Sequence, residues 1–198
     1  MPILPGHTNV AAGVATYFAT LADRLEALDQ DAVERIGAAL IATWRRGGMV
    51  FIAGNGGSAA TASHFALDLN KTTLGSIGAG PRMRCVALTD NVGLLTAWAN
   101  DDAYEVVFAE QLRNLARERD ALVLISYSGA SPNLLAAARA AHELDVQVLA
   151  LTGPNAPLAE LADVHMEIDG PNAQVVEDLH LAVCHALTCQ LREVLAAT

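Results

Sequence analysis

The stretch Met49-Val50-Phe51-Ile52-Ala53-Gly54-Asn55-Gly56-Gly57-Ser58 decides the fold. Its first half is an unbroken apolar run, the pattern of a strand buried on both faces, and its second half is a turn leading into helix-like sequence. The arrangement occurs once more, where Ala121-Leu122-Val123-Leu124-Ile125 precedes Ser126-Tyr127-Ser128-Gly129-Ala130-Ser131 and Pro132 opens the next helical stretch. Each unit is an anion cradle. The first N–H groups of a helix lack internal partners and sit at the positive end of its dipole, glycine allows close approach, and serine adds hydroxyl donors. Two cradles on one edge of a parallel sheet are a plan for holding phosphate.

Working outward, apolar runs at 84–88, 146–151 and 164–168 alternate with helical segments at 58–70, 92–98, 104–117, 132–143 and 156–162. This is the rhythm of right-handed βαβ units, and it predicts an α/β fold with a doubly wound five-stranded parallel sheet flanked by helices. Residues 9–28 carry Val14, Phe18, Leu21, Leu25 and Leu28 at helical spacing. Asp31 and Glu34 read as a capping box for a second helix that runs to Arg46 and stops at Gly47-Gly48. A long last helix, about Ala173 to Leu195, has Val176, Leu179, Val183, Leu187 and Leu191 on one face.

No linker or composition shift divides the 198 residues. The expected organisation is one domain over 1–198, with N-terminal helices over 1–46, a parallel-sheet core over 47–172 and a C-terminal helix over 173–198. The outer helices carry more apolar surface than five strands need, and self-association would bury the excess. Gly75 to Pro81 reads as a mobile loop.

A formal net charge of −10 argues against nucleic acid or an anionic membrane surface as partner. Cys85, Cys184 and Cys189 form no CxxC pair and no disulfide framework, which suits a reducing cytosol. No basic-then-apolar leader is present and no run reaches the ~18 apolar residues of a membrane span. The expectation is a soluble, cytoplasmic protein.

Chemistry-bearing residues gather on two helices. His64 and Asp68 are four apart and share a face, and Glu177 and His185, eight apart on the last helix, lie close to one face as well. If the fold brings these helices together, the four residues form a set of metal ligands or a proton-transfer pair. His180 points partly away from His185 and suits a supporting or substrate contact, while Cys184 and Cys189 read as core residues. Gly54-x-Gly56-x-x-Ala59 also satisfies a dinucleotide fingerprint with Asp90 as ribose partner. Asp90, however, lies well beyond the ~20 residues that fingerprint expects, and the second serine turn is left unexplained.

Gly54-Asn55-Gly56-Gly57-Ser58, His64-Phe65-Ala66, Ala99-Asn100-Asp101, Ser126-x-Ser128-Gly129-x-Ser131-Pro132-Asn133, Ala150-Leu151-Thr152-Gly153 and His180-x4-His185 together resemble the sugar isomerase (SIS) domain. The resemblance is narrower to its phosphoheptose isomerase branch, which converts sedoheptulose 7-phosphate into a heptose 7-phosphate. It implies that Ser58, Ser126, Ser128 and Ser131 hold the sugar phosphate, with Asn55, Gly56, Gly57 and Glu177 also against the substrate. It implies Asp68 and His185 as the proton-exchanging pair, and a zinc site made by His64, Asp68, Glu177 and His185. It further implies a homotetramer with sites between subunits. Asp68 stands where that branch has glutamate and Glu177 where it has glutamine, and Tyr127 and Ala130 replace the usual threonine and asparagine. A noncatalytic relative that senses sugar phosphate, or scaffolds a partner as the family's replication-initiation regulator does, is the alternative these replacements leave open.

Overall fold

The structure is a computed structural model that describes residues 10–74, 80 and 82–197. The loop expected at 75–81 falls, Gly80 apart, outside them. Five parallel strands, β1 (Met49–Gly54), β2 (Arg84–Ala87), β3 (Ala121–Ser126), β4 (Gln147–Thr152) and β5 (Val164–Glu167), pair in the order β2-β1-β3-β4-β5. Strand order reverses between β1 and β3, and in open α/β sheets the crevice beyond such a reversal is where ligands bind. Gly54 at the end of β1 stands in register with Ile125 of β3, so the two serine and glycine turns leave the sheet side by side.

Both faces of the sheet are covered, which is why the strands read as continuous apolar runs. Val50, Ile52, Val123, Ile125, Leu149 and Leu151 face a core shared with α2 (Gln30–Arg45), α3 (Gly57–Leu67) and α7 (Ala173–Ala196). Phe51, Ala53, Leu122, Leu124, Val148 and Ala150 face the opposite core, completed by α5 (Ala109–Leu115) and α6 (Pro132–Glu143). Truncating one of the buried leucines or isoleucines among them to alanine removes transfer energy and leaves a void, at a cost of about 2–5 kcal/mol. The outermost helix, α1 (Val10–Glu26), is pinned to α7 where the Tyr17 hydroxyl donates to Asp178 at 2.6 Å. Asp178 raises the Tyr17 pKa by holding that proton. Val14, Phe18 and Leu25 of α1 remain exposed on the isolated chain.

Helix limits differ from the sequence reading in instructive ways. The cap of α2 is Asp29, whose carboxylate accepts from Ala32 N–H at 3.0 Å, and Asp31 sits inside the first turn. Leu28 before the cap and Val33 in the fourth helical position then both pack on the core, the spacing of a hydrophobic staple that a start at Asp31 would break. The segment expected as one helix over 104–117 divides into a 3-10 turn (Tyr104–Val106) and α5, and 156–162 is a 3-10 turn at Pro157–Leu161. The segment expected at 92–98 continues to Asp101 as α4 (Val92–Asp101). No helix among the described residues is long and apolar enough to cross a membrane.

Candidate functional site

The first turn is shaped by Gly56, whose φ of 54° lies in the left-handed region that glycine adopts without strain. It lets Gly57 begin α3 directly and buries Ser58 in the first helical turn. In the second turn, Gly129 has a φ of 57° and packs against Ala156, leaving no room for a side chain. Ser126 Oγ accepts from Gly129 N–H at 3.0 Å and Ser128 Oγ accepts from Ala130 N–H at 3.3 Å. A hydroxyl whose oxygen is occupied by a backbone donor keeps its own proton to give, which suits an anion. Ser131, at the N-cap of α6, makes no side-chain capping bond.

Between the turns, the Asn55 and Asn133 amides form a reciprocal pair. Asn55 Nδ2 donates to Asn133 Oδ1 and Asn133 Nδ2 donates to Asn55 Oδ1, each at 2.9 Å. The Tyr104 hydroxyl donates to Asn55 Oδ1 at 3.1 Å. Asn133 was visible in the sequence only as part of a motif, and nothing in the sequence marked Tyr104.

Beside the turns, α3 and α7 bring three of the expected residues together. His185 Nε2 lies 3.4 Å from His64 Nε2, and Asp68 Oδ2 lies 3.7 Å from the former and 3.8 Å from the latter. The two rings meet edge to face, with centroids 4.9 Å apart. Both imidazoles are about half exposed, whereas the Asp68 side chain is only 10% exposed. Its other oxygen, Oδ1, accepts from the Thr72 hydroxyl at 2.9 Å, which leaves Oδ2 toward the histidines.

Asp68 begins a π-helical turn (Asp68–Thr72) in place of the α-helix expected to run to residue 70. The cause is Asn70, whose Nδ2 donates to Ala66 O and Cys85 O while its Oδ1 accepts from Cys85 N–H. Its amide thus completes the open edge of β2 and takes a carbonyl from the helix ladder, so the last turn widens.

Glu177 is outside this trio. Its carboxylate lies over Gly57, close enough that any side chain at that position would overlap Oε2. Negative charge there complements the positive start of α3. His180 is fully buried, and among the described residues neither ring nitrogen makes a well-formed hydrogen bond, the Thr152 backbone being the group that approaches it. Burial pushes its pKa down to about 4, opposed weakly by the Thr152 backbone. Asp90 binds the hydroxyls of Ser63 and Thr89. Cys184 is buried, and desolvation, with Asp68 adding to it, pushes its thiol pKa up; Cys189, expected in the core, is exposed.

Residues 16–153 match the SIS domain. The chain belongs to the SIS domain family. It is 41% identical over 168 residues to a phosphoheptose isomerase of Mycobacterium tuberculosis, covering 84% of each chain. It is 38% identical over 193 residues to a lincomycin biosynthesis protein of Streptomyces lincolnensis, covering 91% of this chain and 70% of that one. The structure of the phosphoheptose isomerase from Neisseria gonorrhoeae superposes with a TM-score of 0.80 at 31% identity, covering 92% of this chain and 96% of the other. On this similarity the SIS-domain chain is an isomerase, its fold that of the phosphoheptose isomerases.

Proposed function

We propose that this isomerase interconverts a ketose phosphate and an aldose phosphate, with sedoheptulose 7-phosphate and D-glycero-D-manno-heptose 7-phosphate as the pair. The observation that supports this best is the convergence of Asp68 and His185 beside two hydroxyl-bearing turns at the β1/β3 reversal. Phosphate would take the hydroxyl protons of Ser58, Ser126 and Ser128 with Ser131 and the Asn133 N–H, the first that α6 offers after Pro132, and Asn55, Gly56 and Gly57 would meet sugar oxygens together with Glu177. Anchoring the phosphate end fixes the carbonyl end near Asp68 Oδ2, so that binding energy supplies orientation.

The reaction moves one proton between neighbouring carbons. In the ketose-to-aldose direction a base takes a proton from C1, and the C–H pair forms the C1–C2 double bond while the C2 carbonyl pair moves to O2 and takes a proton. The enediol then gives up the O1 proton to form the C1 carbonyl as a proton returns at C2. Asp68 Oδ2, directly or through one water that makes up for the shorter side chain, is the base. His185 Nε2 moves the proton between the two oxygens.

His64, Asp68 and His185 also fit a divalent metal. Tetrahedral zinc with ligands at about 2.0–2.1 Å places neighbouring donors about 3.3–3.5 Å apart, close to the separations of 3.4, 3.7 and 3.8 Å here. Three protein donors leave a coordination position open, as catalytic sites require. Bound zinc would polarise the substrate oxygens. Nε2 of His185 cannot hold a metal and carry a proton at once, so the decisive assay is run with chelator and with added zinc. Formation of the aldose from sedoheptulose 7-phosphate in at least one condition, lost in Asp68→Asn, is expected; no turnover in either would overturn the reading.

Self-association is part of the same reading. The exposed Val14, Phe18 and Leu25 of α1 offer the apolar surface that a homotetramer would cover.

A further inference from the structure

We propose that Asn133 and Tyr104 are positioning residues that commit the Asn55 amide to act as a hydrogen-bond donor toward an oxygen of the bound sugar phosphate. The inference rests on the substrate reading above. It starts from a count of donors and acceptors. Asn55 Oδ1 receives both the Asn133 amide and the Tyr104 hydroxyl, so its two lone-pair directions are taken. Asn55 Nδ2 gives one proton to Asn133 Oδ1 and has one N–H left. Turning the Asn55 amide over by itself would set like groups against each other at both Asn133 contacts and would take the Tyr104 hydroxyl's donor bond from Oδ1. The side chain therefore has one remaining function and one direction in which to exercise it.

The place of the pair gives this meaning. Asn55 follows β1 and Asn133 lies in the first turn of α6, so their hydrogen bonds bridge the crevice at the β1/β3 reversal and tie one turn to the other. Asn133 is 2% exposed and its side chain caps nothing in its own helix. A buried amide that gives its hydrogen bonds to another side chain in the crevice acts through that side chain. Tyr104 is mostly exposed and comes from the segment after α4, so a third part of the chain is drawn to the same oxygen. An N–H already aimed gains more from an oxygen that becomes negative during reaction than a freely rotating amide would.

The test is a double-mutant cycle on kcat/KM for sedoheptulose 7-phosphate, with calorimetric affinity for the same sugar and melting temperatures alongside. Asn55→Ala and Asn133→Ala are each expected to lower kcat/KM about tenfold, and the double variant to lose about tenfold in all and not the roughly hundredfold of independent sites. Asn55→Asp, which replaces the donor by an acceptor of the same size, should fall below Asn55→Ala. Tyr104→Phe should reproduce part of the Asn133→Ala loss. If Asn133→Ala does not fold, Asn133→Asp takes its place, because it keeps the volume and the acceptor but offers no donor to Asn55 Oδ1. Additive losses, or an Asn133 variant that melts lower while kcat/KM stays at the parent value, overturn the inference and leave the substrate reading standing. A parent protein that neither binds nor converts the sugar overturns both.

Discussion

His64 and His185, 121 residues apart in the chain, present their Nε2 atoms to one another at 3.4 Å, with Asp68 Oδ2 completing the triangle. Two imidazole nitrogens and a carboxylate oxygen that close together can share one divalent cation. Zinc is expected to bind stoichiometrically to chelator-treated protein and to raise its melting temperature. His64→Ala and His185→Ala should each weaken binding at least tenfold, whereas Glu177→Gln should leave it within about threefold, since Glu177 faces Gly57 and not the trio. Equal zinc affinity in all three variants, measured by competition with a chromophoric chelator, would refute the assignment.

The second turn makes a separate prediction about phosphate. Ser126 and Ser128 hold backbone N–H groups through their oxygens, so their own protons remain to be donated to a ligand. Removing both hydroxyls costs donors to a charged ligand, each contributing about 1.5–3 kcal/mol. The Ser126→Ala, Ser128→Ala double variant should bind sedoheptulose 7-phosphate at least tenfold more weakly by calorimetry. It should also melt lower, because the buried Gly129 N–H loses its partner. Parent-like affinity would remove the turn from the site.

Two glycines of the first turn should respond differently to alanine. At Gly54 a Cβ would lie 2.5 Å from the Ser58 carbonyl oxygen, and backbone cannot move aside cheaply. Gly54→Ala is expected to destabilise by about 1–3 kcal/mol in urea unfolding. At Gly57 the obstacle is the end of the flexible Glu177 side chain. Gly57→Ala should keep its stability within about 0.5 kcal/mol and lose activity by displacing Glu177. Matching unfolding curves for the two variants would contradict the distinction.

The strands and the two turns were legible in the sequence because a strand buried on both faces needs an unbroken apolar run, and a turn between strand and helix needs glycine. The set of His64, Asp68 and His185 was legible as two helix-face patterns, and only packing of α3 on α7 could join them. What stayed hidden depends on contacts distant in sequence. Asn70 widens the helix at Asp68 only because it reaches Cys85 on β2. Asn133 and Tyr104 act at Asn55 from 78 and 49 residues away. The sequence reading put the cap of α2 at Asp31, and the structure puts it at Asp29, with Leu28 and Val33 packed on the core.

His180 is expected to make the stability of the protein depend on pH. It is fully buried, and burial, against the Thr152 backbone, lowers its pKa from 6.5 to about 4. The folded protein therefore resists a proton that the unfolded chain accepts. Above pH 6.5 neither state binds it and stability is unaffected. Between pH 6.5 and about 4 the unfolded state gains a proton that the folded state does not, so stability falls as pH falls; below that window both states are protonated and the loss stops growing. The loss is about 2 kcal/mol by pH 5 and on the order of 3 kcal/mol in full. His180→Leu fills similar space and cannot titrate. Urea unfolding of parent and variant at pH 7.5, 6 and 5 should show the parent losing about 2 kcal/mol more than the variant across that range. Other titrating groups shift both proteins alike and cancel in the difference. Parallel stability curves would mean that His180 takes up its proton in the folded state as readily as in the unfolded chain.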